Sequence, residues 1–171
     1  IVSCAQGFDV IPAASGISEM TRLGEHERIS LLEGFEDFAL EYDFLIVDTA
    51  AGIGENVLYF NAAAQQRIVV VDPEPTSITD AYALIKVVST KYNIKEFDVV
   101  VNQTPTGDDG RSTFAKLAAA TDRFLPVRLR FLGSVAADSS VREAIIKQTP
   151  LLELYPGTKA SRDILRLAKK I

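Results

Sequence analysis

The sequence predicts an α/β fold, a mostly parallel sheet with helices on both faces. Three observations carry this. First, short apolar runs recur, at Phe44-Leu45-Ile46-Val47, Ile68-Val69-Val70-Val71 and Val99-Val100-Val101. Such runs suit strands covered on both faces, as in a parallel sheet. Second, segments with apolar residues at helical spacing separate the runs, which is the alternation of right-handed βαβ units. Third, each run closes on a polar residue, Asp48, Asp72 or Asn102, where a strand leaves the core and α/β proteins place ligand chemistry.

The elements follow in order. Phe8-Asp9-Val10-Ile11-Pro12 reads as a short strand stopped by proline. Residues 25–41 read as a helix, with Ile29, Leu32, Phe35, Phe38 and Ala39 at helical spacing. The strand ending at Asp48 comes next, then a short helix over 56–64 with Val57, Phe60 and Ala64 on one face. Arg67 to Val71 reads as a buried strand, ended by Asp72-Pro73-Glu74-Pro75. Thr76 or Ser77 caps the following helix, with Asp80 completing a rough capping box, and that helix runs to about Tyr92. A third strand, 96–101, ends at Asn102, and a polar loop follows over 104–110. Residues 112–124 read as a helix. Residues 127–132 read as an edge strand with one wet face, because Val127-Arg128-Leu129-Arg130-Phe131 alternates apolar and basic residues. A turn over 133–138, a helix from Ser139 or Ser140 to about Gln148 and a last helix over 159–170 complete the chain. There are no repeats and no linker long enough to divide domains, so 1–171 reads as one domain.

Composition narrows the functional classes. The 171 residues are 47% hydrophobic and 24% charged, ordinary for a folded soluble chain. The net charge of −5 argues against nucleic acid as a partner, because binding phosphates needs a clustered basic surface. Cys4 and His26 are the only residues of their kinds, which excludes a metal site of nitrogen and sulfur ligands. No apolar run approaches the roughly 20 residues that span a bilayer. The first residues carry no signal-peptide pattern, and the chain opens without Met, as an internal start would.

The most informative segment is Asp48-Thr49-Ala50-Ala51-Gly52-Ile53-Gly54. A carboxylate at a strand end can hold magnesium through water, and glycines after it let backbone N–H groups approach a phosphate. This is the form of a Walker B strand with its switch turn. The bland reading of Asp48 is a polar strand end, and that of Gly52 a positive φ angle. Thr49 can hydrogen-bond in the same turn. Asn102 offers the donor and acceptor that match a purine edge. An Asx turn at a strand end explains it equally well. No Asn-Lys-x-Asp tetrad is present, so adenine fits better than guanine. Asp72-Pro73-Glu74-Pro75 makes a rigid turn that suits a loop shaping the site or a dimer surface. Asp108 and Asp109 read as solvated loop acids. The last helix puts Ile164, Leu167, Ala168 and Ile171 on one face and basic residues on the other. It suits packing on the sheet, with an anionic membrane surface as the alternative.

These phrases resemble the MinD/ParA ATPases with deviant Walker motifs, and among them the FlhG (FleN, YlxH) regulators of flagellar number and placement. The resemblance runs through Tyr42-Asp43-Phe44-Leu45-Ile46-Val47-Asp48-Thr49-Ala50-Ala51-Gly52-Ile53 and Asp72-Pro73-Glu74-Pro75-Thr76-Ser77-Ile78-Thr79-Asp80-Ala81-Tyr82-Ala83. It continues in Val101-Asn102-Gln103, Phe131-Leu132-Gly133-Ser134-Val135 and Lys159-Ala160-Ser161-Arg162. It implies a P-loop NTPase fold and ATP and Mg2+ as cofactors. Asp48 matches the catalytic and metal-positioning Walker B acid, Gly52 the switch glycine, and Asn102 the adenine reader. Val135, Ala136 and Asp138 match the segment lying against base and ribose. It further implies a homodimer around ATP, a cytoplasmic protein held at the inner membrane surface by a C-terminal helix, and partners such as the FlhF GTPase, flagellar switch proteins or a flagellar transcription activator. The Gly-Lys-Gly-Gly-x-Gly-Lys-Ser/Thr loop and the Asp-x-Asp segment of the family do not occur in the 171 residues. Phosphoryl transfer rests on such groups. The expectation is therefore a core and C-terminal part of an FlhG-like ATPase, incomplete at the N-terminus and without hydrolysis by itself. A nucleotide-free regulator and a partitioning or cell-division ATPase remain the alternatives.

Overall fold

A computed structural model describes residues 1–4, 6–12, 24, 26, 29–30, 34, 42–105 and 109–171. The chain divides into two units, one of residues 1–50 and 54–56, the other of 51–53 and 57–171.

In the first unit, β1 (Val2–Ser3) pairs antiparallel with β2 (Asp9–Val10), Val2 opposite Val10. The ladder stops before Ile11-Pro12, a shorter strand than the sequence suggests, since proline has no N–H to donate. The Tyr42 hydroxyl donates to the Asp9 carboxylate and holds its pKa below the usual value. His26, Ile29, Ser30 and Gly34 are helical, and the rest of the helix expected over 25–41 lies outside the described residues.

The expected strand at 44–48 is not formed. Phe44 is 72% exposed and Ile46 89%, and residues 44–50 join neither sheet. The physical reason is that a strand exists through its ladder. An apolar run without a hydrogen-bonded neighbour gains neither paired backbone groups nor cover for its side chains.

The second unit is built on a parallel sheet of three strands in the order β3-β4-β5, flanked by helices. Helix α1 (Glu55–Ala63) leads to β3 (Ile68–Val71), which pairs with β4 (Glu96–Thr104), Val71 beside Val101. Between them runs α2 (Pro75–Tyr92), with proline in its first turn and Asn93 closing it in the left-handed conformation. The N-cap is Glu74, with no side-chain cap bond. Ser77, expected as a cap, instead accepts from the Asp72 N–H at 2.9 Å. Two prolines make the turn rigid and leave the cap to backbone geometry.

Helix α3 (Asp109–Phe124) returns the chain to β5 (Arg128–Ala136), which lies parallel to β4. Strand β5 runs further than the sequence suggests and absorbs most of the turn expected over 133–138. Helices α4 (Ser139–Ile146), α5 (Leu151–Leu154) and α6 (Lys159–Ala168) follow. Helix α6 lies on β5, the sheet packing that the sequence favoured.

Burial explains the order of the strands. Strand β4 is central and buries 97–101 on both faces. Strand β3 is an edge, burying Val69 and Val71 while Ile68 and Val70 stand exposed. The reading of β3 as buried on both faces is thus corrected. Its inner face packs with Ile85, Val88, Val99 and Leu117, all fully buried. Each such side chain contributes about 1.5–3 kcal/mol relative to exposure. Gly110 opens α3 against β5, and a Cβ there would lie 2.6 Å from the Ser134 Cβ. At the opposite end of the sheet, buried Asp98 accepts from Gln66 Nε2 at 2.6 Å and from Arg130 at 2.5 and 2.7 Å.

Candidate functional site

The parallel register carries the ends of β3, β4 and β5 to one edge of the sheet. Val71 lies beside Val101 and Thr104 beside Ala136, so Asp72, Asn102 and the residues after Ser134 leave the core together. This is the carboxyl edge, where open α/β sheets bind ligands. The β4–β5 ladder is irregular between Val101 and Thr104, and Gln103 has φ +53°, in the left-handed region. Such irregularities re-aim side chains at strand ends. Thr104 Oγ1 donates to the Val135 carbonyl at 3.3 Å, and the Ala137 N–H donates to the Thr104 carbonyl at 2.9 Å.

Asp72 is half-buried at the centre of this edge. Its carboxylate accepts from Gln103 Nε2 at 3.0 Å. Burial and the nearby Glu74 charge push its pKa up, against the pull of the Gln103 amide. The sequence placed Asp72 in a shaping loop but did not pair it with Gln103, the neighbour of Asn102. The signal was available, because two apolar runs that pair in parallel bring their closing polar residues side by side.

Of the sequence-predicted residues, Asn102, Val135, Ala136 and Asp138 come to this edge. Ala136 is buried in β5, and its N–H donates to Asp163 Oδ2 at 3.2 Å. Asp138 serves structure as well: it caps α4 by accepting from the Ser140 N–H at 3.0 Å, and it accepts from the Ala160 N–H at 3.3 Å. The Ser140 hydroxyl and these backbone donors hold its pKa low. The carboxylate is therefore committed to α4 and α6.

Gly52 has φ +97° and open space around its Cα, so it provides the left-handed turn that other residues resist. Asp48 and Thr49 are exposed in the segment before it. Asp108 lies outside the described residues.

Magnesium is compatible with this donor set. It takes one or two carboxylates, keeps several waters and completes its shell with phosphate oxygens. A single exposed acid such as Asp48 suits that, whereas no group of three His, Cys, Asp or Glu side chains gathers among the described residues.

A separate groove of about 190 Å³ lies between β5, α3 and α6. Its cations are engaged within the fold: Arg166 with Asp163 at 3.1 Å, Lys170 with the Leu132 carbonyl, and Arg111 over the Phe131 ring. It reads as the packing seam of α6.

No family model matches the chain. The chain is 44% identical over 165 residues to the antiactivator FleN of Pseudomonas aeruginosa, covering 96% of this chain and 59% of that protein. It is 28% identical over 163 residues to the flagellum site-determining protein YlxH of Helicobacter pylori, covering 95% and 55%. Among solved structures it matches the MinD cell division protein of Aquifex aeolicus with a TM-score of 0.67 at 21% identity, covering 85% of this chain and 59% of that one. MinD of Pyrococcus horikoshii, solved with Mg-ADP, matches with a TM-score of 0.62 at 18% identity, covering 87% and 60%. The chain thus spans between half and two thirds of the length of these relatives.

Proposed function

The chain belongs to the MinD/ParA family of ATPases and is similar to its FlhG (FleN, YlxH) members; from that premise we propose that it forms the base-reading and partner-facing part of an ATP-dependent regulator of flagellar number and placement. The observation that carries the reading is the carboxyl edge itself, where the Gln103 amide on β4 is held by the Asp72 carboxylate that follows β3, beside the backbone that follows β5. In this reading Asn102 hydrogen-bonds adenine. The backbone at Val135 and Ala136 lies along the base and ribose. Asp48 positions magnesium through water, Thr49 supports that turn, and Gly52 gives its N–H to the terminal phosphate. Bound magnesium neutralises phosphate charge during transfer.

The proposed cycle has two states. ATP draws two copies together, and the dimer engages the inner membrane surface and a flagellar partner: the FlhF GTPase, switch proteins or a transcription activator. Hydrolysis returns the monomer to the cytoplasm. The similarity to FleN and YlxH supports the flagellar role, and the net charge of −5 disfavours DNA as the partner surface.

The test is size-exclusion chromatography with light scattering on the full-length protein with MgATP, MgADP or no nucleotide. A dimer with MgATP alone supports the reading. A single mass under all three conditions removes ATP-driven assembly from it.

A further inference from the structure

We propose that Asp163, on α6, is a positioning residue for the nucleotide edge: it holds the backbone at Ala136 and so couples the seating of α6 to nucleotide occupancy. The proposal rests on the nucleotide-binding reading above and adds a regulation of that same site.

A strand turns successive backbone groups to opposite sides, and the outer side of an edge strand needs partners from elsewhere. Among the described residues β5 has one strand neighbour, β4. The Ala137 N–H turns to β4, where the Thr104 carbonyl accepts it at 2.9 Å. The Ala136 N–H turns the other way and donates to Asp163 Oδ2 at 3.2 Å. Ala136 and Asp163 are both buried. Water therefore offers this N–H no ready substitute, and loss of the carboxylate leaves it unpaired.

Helix α6 supplies a stripe to the same edge. Asp163, Leu167 and Lys170 follow one another at helical spacing, on one face. Leu167 closes on Gly133, where a Cβ would lie 3.0 Å from its Cδ2. Lys170, just past the helix, donates to the Leu132 carbonyl. Asp138 ties the two from the other side. It accepts from the Ala160 N–H, in the first turn of α6, at 3.3 Å and from the Ser140 N–H at 3.0 Å. Two carboxylates, one from each side, thus cross between α6 and residues 136–138.

In the nucleotide-binding reading Ala136 lies along base and ribose. A nucleotide there meets a backbone that α6 has already ordered. When α6 loosens, binding has to order that backbone again and affinity falls. Such coupling is reciprocal, so bound nucleotide tightens α6.

The experiment measures MgADP affinity by calorimetry, beside thermal melts, for the full-length wild type, Asp163→Ala and Asp163→Asn. Asp163→Ala weakens binding about fivefold, and Asp163→Asn, which keeps an acceptor oxygen, recovers most of the loss. Hydrogen–deuterium exchange of the full-length wild type reads the reverse direction without a substitution. Saturating MgADP slows exchange across residues 159–168 as well as 136–138. An Asp163→Ala protein that melts earlier yet binds MgADP as wild type does has lost a merely structural contact, which overturns the proposal and leaves the nucleotide site standing. Exchange across 159–168 that ignores bound MgADP does the same, and it decides alone where Asp163→Ala fails to fold. Absence of MgATP and MgADP binding by wild type overturns both the proposal and the reading beneath it.

Discussion

Replacing Asp98 by Asn tests how the sheet is tied together below the site. Asp98 lies on central β4 and is 7% exposed. Its two oxygens take three hydrogen bonds, from Gln66 ahead of β3 and from Arg130 on β5, so one carboxylate joins all three strands. A hydrogen bond to a charged group contributes about 1.5–3 kcal/mol. The Arg130 side chain is 58% exposed, so water screens its part, and the bonds do not sum. A loss of about 2 kcal/mol for Asp98→Asn is the resulting expectation. In a domain of this size that lowers Tm by about 4–8 °C. The pH dependence has a definite sign. The Arg130 hydrogen bonds hold the Asp98 carboxyl below its ordinary value, against burial and with help from Gln66. A carboxylate lowered on folding stabilises above its unfolded pKa of about 3.9 and ceases to do so as pH falls through the folded value. Thermal melts by circular dichroism at pH 7, 5, 4 and 3 would show the wild-type advantage full at pH 7 and 5 and shrinking below pH 4. A Tm difference under 1 °C at pH 7, or a gap that persists unchanged at pH 3, refutes the reasoning.

Other expectations follow from single positions. Leu117 is fully buried, so Leu117→Ala lowers the unfolding free energy by about 3 kcal/mol, read by urea titration. Gly110→Ala places a methyl 2.6 Å from the Ser134 Cβ and costs about 1–3 kcal/mol, and adding Ser134→Gly recovers most of it. No recovery would put the strain elsewhere. Asp48 is exposed and joins no sheet, so Asp48→Ala leaves the melting curve unchanged while abolishing ATP turnover by the full-length protein in a phosphate-release assay.

The parallel sheet, its helices and the residues that close its strands were legible because two periodicities and a polar strand end are local signals. The run at 68–71 announced a strand but not its position in the sheet: whether Ile68 and Val70 are covered depends on a neighbour, which no local pattern encodes. The same limit explains 44–48, whose apolar composition matches a buried strand although the run has no ladder in this structure. The end of β5 was read too short because Gly133 and Ser134 look like a turn, while pairing with Val100 and Val101 keeps them in the sheet. Asp138 was visible as a residue near a ligand edge, yet its capping of α4 and its bond to α6 required the helices to be placed. The Asp72–Gln103 pair was hidden for a related reason. Its parts lie about 30 residues apart, and only the β3–β4 register joins them.

The proposed function requires the carboxyl edge of this sheet to hold an adenine nucleotide. Hydrogen–deuterium exchange of the full-length protein with and without MgATP reads this occupancy segment by segment. Protection by nucleotide of residues 49–54, 102–104 and 133–138 is the predicted result. Nucleotide binding that leaves these three segments unprotected would contradict it.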